Sequence, residues 1–184
     1  SRAGHRAGPA TDQVDHVGVM GVSGAGKSTV ARAVADRLGW AYAEGDDLHP
    51  AANVAKMTAG VPLTDEDRWP WLASIRAMLS EHDGAGRASV TTCSALRRVY
   101  RDALRAGPGR VRFVHVSAPA AELEQRLTTR AGHFMPTSLL TSQLETLEPL
   151  GDDEDGVTVD GTAEPAAVVG EVLRALGLGG DRAR

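Results

Sequence analysis

A chain of 184 residues with 42% apolar and 24% charged side chains has the length and make-up of one globular domain with a real hydrophobic core. Its formal net charge of −4 argues against nucleic acid as the main partner, because holding a phosphate backbone calls for a basic face. One cysteine, Cys93, excludes an internal disulfide and suits a reducing cytoplasm, and no apolar run approaches the roughly 18 residues of a membrane span.

Residues 1–15 are rich in Gly, Ala and Arg without a period and read as a disordered leader with no secretory-signal pattern. A single folded domain is expected over 16–178, with 179–184 a flexible tail. Val17-Gly18-Val19-Met20 is a short apolar run suited to a buried strand. It runs into Gly21-Val22-Ser23-Gly24-Ala25-Gly26-Lys27-Ser28-Thr29, which fits G-x-x-x-x-G-K-[ST] at every fixed position. Val30, Val34 and Leu38 then recur at helical spacing, so the motif has the strand–loop–helix setting it needs. The residue types follow from the chemistry of a triphosphate. Glycines let backbone N–H groups close on phosphate oxygens, and the helix start adds free N–H groups and a positive dipole end. Lys27 can reach the β- and γ-phosphates, and the Ser28 hydroxyl can ligate Mg²⁺. ATP with Mg²⁺ is the expected nucleotide, held by Gly21, Ser23, Gly24, Ala25, Gly26, Lys27, Ser28 and Thr29.

Gly39 is a natural helix stop, and Trp40 to Ala43 reads as a second strand. It ends in Glu44-Gly45-Asp46-Asp47-Leu48-His49-Pro50, an acidic cluster at a strand's carboxyl end, where open α/β sheets bind ligands. A helix is expected over 50–59, stopped by Gly60 and Pro62. The next opens at Thr64, an N-cap with Asp67 three residues on, and buries Leu72, Ile75 and Leu79. Ala88 to Cys93 reads as the third strand, Leu96 to Ala106 as a helix, and Arg110 to Val116 as the fourth strand. Pro119 starts a helix that carries Leu123 and Leu127 inward and ends near Gly132. The stretch 133–149 is polar, and Asp152 to Asp155 reads as a solvated turn. Val157 to Val159 is a short fifth strand, and Pro165 opens a last helix with an apolar stripe of Val168, Val169, Val172, Leu173 and Leu176. Strands alternating with helices imply an α/β fold, a parallel sheet covered on both faces.

A triphosphate cradle alone does not choose among kinases, switches and motors. No N-K-x-D guanine reader is present, and the third strand ends Thr92-Cys93-Ser94 without the carboxylate a motor ATPase places there. The acidic groups follow the second strand instead. That arrangement suits a kinase in which Asp46, or alternatively Asp47, accepts the proton of an acceptor hydroxyl. Arg126 and Arg130 share one helix face and are positioned to close over the γ-phosphate. Arg68, beside Asp67 and Trp69-Pro70-Trp71, is a candidate carboxylate clamp. Of Arg97, Arg98 and Arg101, one or two are expected to reach the acceptor.

Taken together, these segments resemble the small bacterial-type gluconokinases. The likeness rests on the phosphate loop, on Glu44 to Pro50, on Asn53-x-x-Lys56-Met57-x-x-Gly60-x-Pro62-Leu63-Thr64-Asp65 and on Asp67-Arg68-x-Pro70-Trp71-Leu72. Cys93-Ser94-Ala95-Leu96-Arg97-Arg98-x-Tyr100-Arg101-Asp102, Gly132 to Pro136 and Ser142-Gln143-x-x-Thr146-Leu147-Glu148-Pro149-Leu150 continue it, so it spans nearly the whole body. The resemblance implies a P-loop kinase of nucleoside-monophosphate-kinase type, with a five-stranded parallel sheet and a helical lid over about 120–149. It further implies transfer of the ATP γ-phosphate to the 6-hydroxyl of D-gluconate, in a cytoplasmic homodimer with no nucleic-acid or membrane partner. The roles it implies are Lys27, Asp46 and Arg130 as catalytic groups, with Arg126 and Arg130 on ATP. Asp46, Asp47, His49, Arg68, Arg98, Arg101, His133 and Gln143 would bind the acceptor, and Ser28, with Glu44 through a water, would hold Mg²⁺. Ala25, Arg97 and Leu144 depart from the family's commoner residues without removing a charge. The competing readings are a shikimate-kinase-like enzyme, whose glycine triplet after the third strand is absent here, and a non-catalytic ATP-binding module.

Overall fold

The computed structural model describes residues 13–129 and 137–178. The expected leader and tail therefore lie outside the described residues, as does the middle of the expected lid. Five strands, β1 (Asp15–Met20), β2 (Ala41–Glu44), β3 (Ser89–Thr92), β4 (Arg110–Ser117) and β5 (Gly156–Asp160), form a wholly parallel sheet in the order β2-β3-β1-β4-β5. Helices α1 (Lys27–Leu38), α2 (Ala51–Thr58), α3 (Asp65–Gly84), α4 (Arg98–Arg105), α5 (Ala120–Thr129), α6 (Thr137–Thr146) and α7 (Pro165–Leu176) connect and cover it.

Every strand is parallel, so every carboxyl end lies along one edge. The register aligns Glu44 with Thr92 and Thr92 with Val19, placing the acidic cluster and the phosphate loop side by side there. The apolar periodicities sort onto the two faces as a doubly covered sheet requires. Val30, Ala31, Val34 and Ala35 of α1 pack with Val168, Val169, Val172, Leu173 and Leu176 of α7 on one core. Trp71, Leu72, Ile75 and Leu79 of α3 pack with Tyr100 and Leu104 of α4, Met20 and Phe113 on the other. Each fully buried side chain of this size stabilises the fold by roughly 1.5–3 kcal/mol, which makes the sheet a rigid base for its loop edge.

The start of α3 is fixed as expected. Thr64 Oγ1 accepts the Asp67 backbone N–H while the Asp67 carboxylate accepts the Thr64 N–H, a reciprocal cap. Four details differ from the sequence reading. Gly45–Leu48 winds into a single 3₁₀ turn, which tightens the acidic cluster. The segment expected to be merely polar contains α6, and its signal was Leu140, Leu144 and Leu147 at helical spacing. The helix after β3 begins at Arg98, because the turn before it carries Ala95 at φ +25, outside any helix. The acidic run before β5 is not wholly solvated: Glu154 is buried among arginines.

Candidate active site

The phosphate loop follows β1 directly. Gly26, the residue before α1, has φ +97, a conformation that strains any residue with a Cβ. No acidic side chain occupies the first turn of α1, so nothing offsets the positive end of that helix. Lys27 is buried and donates to the Gly21 carbonyl at 3.0 Å. The Ser23 N–H is held from outside the loop, by the side-chain carbonyl of Gln143 on α6 at 2.8 Å.

Beside Lys27 lies a knot of oxygens. Glu44 accepts from the Tyr42 hydroxyl and from Thr92 Oγ1 at 2.8 Å, bonds the Ser28 side chain, and has Arg32 at 3.7 Å. Burial works to raise the Glu44 pKa, but those hydrogen bonds and Arg32 outweigh it and hold the carboxyl below its usual range. Burial and the charged Glu44 push the Tyr42 phenol up to about 12, so Tyr42 stays a donor. Among the described residues no group of three or more His, Cys, Asp or Glu could hold a metal. A hydroxyl and a water-relaying carboxylate nonetheless fit Mg²⁺, which takes one or two protein oxygens and fills its octahedron with waters and phosphates.

Across the crevice stands the 3₁₀ turn. Gly45 is required by close approach, since a Cβ there would stand 2.2 Å from the Thr92 carbonyl. Its own carbonyl accepts the Trp71 indole N–H at 2.8 Å. Asp46 thus comes to rest with Oδ2 3.8 Å from Lys27 Nζ, and its other oxygen, Oδ1, is buried without a hydrogen-bond partner among the described residues. Asp47, next in the chain, is exposed. His49 stacks on Trp71 with ring centroids 4.2 Å apart and meets the Asn53 amide at 3.1 Å. Burial lowers the His49 pKa against the pull of Asp46, with Arg68 adding to the lowering, so the ring is neutral near pH 7. Asn53 also donates to the Asp67 carbonyl, and Lys56 pairs with the Asp67 carboxylate at 2.6 Å.

Arg68 is held from behind. It donates to the Tyr100 hydroxyl at 2.8 Å, which in turn donates to Asp65 at 2.5 Å, and Arg97 closes the chain on the other Asp65 oxygen at 3.0 Å. Tyr100 above all, then burial in opposition and Arg97, set the Asp65 carboxyl below its usual range. Arg68, His49, Ser94, Ser142 and Gln143 line a cavity of about 30 Å³ together with Met57, Pro62, Leu63, Leu96 and Leu139.

A second, larger cavity of about 510 Å³ opens on the far side of the phosphate loop, between Ala25, Gly26, Thr29 and Val30 and the Gly161–Pro165 loop after β5. Its volume falls in the range of small-molecule sites. Arg126 lines it, donating to the Gly24 carbonyl at 2.7 Å and the Gly161 carbonyl at 3.0 Å. These bonds hold Arg126 against the phosphate loop on one side and the Gly161–Pro165 loop on the other.

The residues singled out from sequence thus divide. Lys27, Ser28, Glu44, Asp46, His49, Arg68 and Gln143 meet along one edge. Arg98 and Arg101 do not line the cavity of about 30 Å³ beside Arg68. Arg98 turns outward to a two-pronged pair with Asp153 at 2.7 and 2.9 Å, and Arg101 is wholly buried on Glu154. Arg130 and His133 lie outside the described residues. Sequence reasoning gave no role to Tyr100, Asp65, Asn53 or Tyr42, although the first three stand in the family motifs, since partners distant in the chain leave no local pattern.

Comparison with known proteins adds four findings. A family model described as an AAA domain matches residues 17–150. The gluconokinase of Gluconobacter oxydans (strain 621H) is 54% identical over 156 residues, 85% of this chain and 88% of that protein. The crystal structure of a gluconokinase from Sinorhizobium meliloti 1021 superposes with TM-score 0.80 at 46% identity, covering 89% of this chain and 91% of that one. A shikimate kinase from Aquifex aeolicus vf5 gives TM-score 0.56 at 17% identity, a likeness in fold alone.

Proposed function

This chain belongs to the gluconokinase family, and from that premise we propose how its residues move the γ-phosphate of ATP to the 6-hydroxyl of D-gluconate. Nothing found favours shikimate as acceptor or a module that only binds ATP. The roles rest on one observation above others: Lys27 and Asp46 face each other at 3.8 Å across the crevice, and Asp46 keeps a buried oxygen without a partner among the described residues.

The backbone N–H groups of residues 24–28 and the Lys27 ammonium hold and neutralise the phosphate tail. Ser28, with Glu44 through a water, is the Mg²⁺ position. The ion, when bound, screens charge on the phosphate oxygens. Asp46 Oδ1 accepts the hydrogen bond of the attacking hydroxyl and takes its proton as the new O–P bond forms. His49, neutral and fixed by Trp71 and Asn53, bonds a polyol hydroxyl, and Arg68 binds the carboxylate of the acid with its two-pronged guanidinium. Gln143 belongs to both halves, lining the acceptor cavity while it holds the Ser23 N–H. Arg126 and the Gly161–Pro165 loop frame the nucleoside. Arg130 and His133 keep the γ-phosphate and acceptor roles that the family likeness supports. Because the transition state of phosphoryl transfer is loose, alignment and charge neutralisation supply most of the acceleration.

The reading extends to a homodimer working in the cytoplasm, which the family likeness supports and light scattering of the purified chain tests. The activity is tested by coupled ADP release with gluconate, with shikimate and with no acceptor. Release confined to gluconate, with phosphate on the 6-oxygen of the product, is the expected result. Equal release in all three arms would contradict it.

A further inference from the structure

We infer that Arg101, aimed by Glu154, is the positioning residue that gives the acceptor cavity its shape. It does so by clamping the turn at Ala95 to the chain that follows α6. The inference rests on the reading of that cavity as the gluconate site.

Arg101 is 0% exposed, which is costly for a charge unless its surroundings satisfy it. They do. Its Nε and one terminal nitrogen fork onto the two oxygens of Glu154 at 2.8 and 2.9 Å. The other terminal nitrogen donates to the Ala95 carbonyl at 2.9 Å, and a longer bond of 3.4 Å reaches the Pro149 carbonyl. Glu154 is matched just as fully, taking Arg105 and the Gly151 N–H as well. Arg101 first, with burial opposing and the Gly151 amide and Arg105 assisting, draws the Glu154 carboxyl down to about 2.

Stability alone does not explain such a pair, because an apolar pair of the same volume often serves as well. Geometry does. Ala95, at φ +25, stands in a conformation that residues with a Cβ adopt only when their surroundings hold them there. Its neighbours on either side, Ser94 and Leu96, are walls of the acceptor cavity. The opposite wall, Leu139, Ser142 and Gln143, belongs to α6, whose exit is bonded to the same turn through Glu148 N–H to the Leu96 carbonyl at 2.7 Å. Arg101 sits at the crossing, bonded to Ala95, to Pro149 and, through Glu154, to Gly151. A guanidinium fork can hold all of these directions together; an ammonium cannot.

The test uses Arg101→Lys, Glu154→Gln, Ala95→Gly and the double variant Arg101→Lys/Ala95→Gly in the full chain. Arg101→Lys and Glu154→Gln should each raise KM for gluconate about tenfold while KM for ATP stays within about twofold, the signature of a displaced acceptor wall. Ala95→Gly should behave as wild type and should recover most of the lost gluconate affinity in the Arg101→Lys background, since glycine accepts the turn unaided. Arg112→Lys is the control. Arg112 is buried as well, but bonded to the Leu176 carbonyl, and its variant should lower Tm without moving either KM. Amide exchange at residues 94–97 gives a readout that needs no substrate and should quicken in Arg101→Lys and slow again in the double variant. Unchanged exchange there, equal rises in both KM values, or no recovery with Ala95→Gly would overturn the inference. Failure of the parent reading looks different: wild type itself would release no ADP with gluconate.

Discussion

Removing a single oxygen tests the acceptor side most sharply. In Tyr100→Phe the ring stays, and with it the contact beneath the Arg68 guanidinium, whose carbon lies 5.1 Å from the ring centre. What goes is the hydroxyl that accepts from Arg68 at 2.8 Å and donates to Asp65 at 2.5 Å. Hydrogen bonds to charged groups contribute about 1.5–3 kcal/mol, but both partners here have relief: Asp65 keeps Arg97, and Arg68 is only half-buried, so water can reach it. A net loss of about 1–2 kcal/mol in holding the acceptor carboxylate remains, which is roughly 5–30-fold in KM for gluconate. Lys27 and Asp46 touch neither group, so kcat and KM for ATP should stay within about threefold. Initial rates of ADP release, with gluconate varied at saturating ATP, give the numbers. Because the hydroxyl acts through Arg68, the same change made in an Arg68→Ala background should add nothing. A gluconate KM within twofold of wild type would refute the reasoning, and so would an undiminished effect in the Arg68→Ala background.

Lys27→Ala should lower kcat by ~10³ or more and Asp46→Asn by less, because charge neutralisation outweighs proton acceptance in a loose transition state; single-turnover rates order the two. Glu154 gives an acid limit. Its folded pKa of about 2 lies below the ordinary value of 4.5, so its contribution, about 3 kcal/mol, is whole above pH 5 and fades as pH falls toward 2. Urea unfolding at pH 7 and pH 3.5 should show a larger loss for wild type than for Glu154→Gln. Cys93 is buried with its thiol pushed up to about 12, first by burial, so iodoacetamide should label it only on unfolding, as mass spectrometry of native and urea-treated protein will show. Gluconate should slow amide exchange more in residues 51–63 than in 89–104.

How far the sequence carried the reading depends on where each signal lived. The phosphate loop, the strands and the covered sheet are local patterns, with periods of two or 3.6 and glycines at fixed offsets, and the structure reproduces them within a residue or two. The acidic cluster was placed by position alone, at a strand end, and it folds into the crevice. Arginines escaped this logic. Arg68, Arg97, Arg98 and Arg101 look alike in the sequence, and what separates them is the partner each finds: Tyr100 for Arg68, Asp65 for Arg97, Asp153 for Arg98, Glu154 for Arg101. Those last two partners share one acidic run, and nothing local tells which of its members turns inward.

The proposed acceptor site implies which side of the enzyme has to yield. The 30 Å³ cavity beside Arg68 holds no more than a few waters, so a six-carbon acid should enter only when the walls part. The wall from β3 and α4 is pinned by Arg101 at Ala95 and by the packing of Trp71, Tyr100 and Leu104. The wall from α6 buries Leu139 and Leu140 and is joined to the phosphate loop through Gln143. The third wall is Met57 of α2 with Pro62 and Leu63 of the segment after it; the one buried residue of α2 is Asn53, and Val54 and Val61 are exposed. Opening free energy follows buried apolar contact, so this wall is the least costly to displace. It is tied to its surroundings by the Lys56–Asp67 pair and by the Asn53 bridge between His49 and Asp67. On the proposed role of His49, displacing α2 should therefore pull on that ring, and its return on binding should set the ring against the acid.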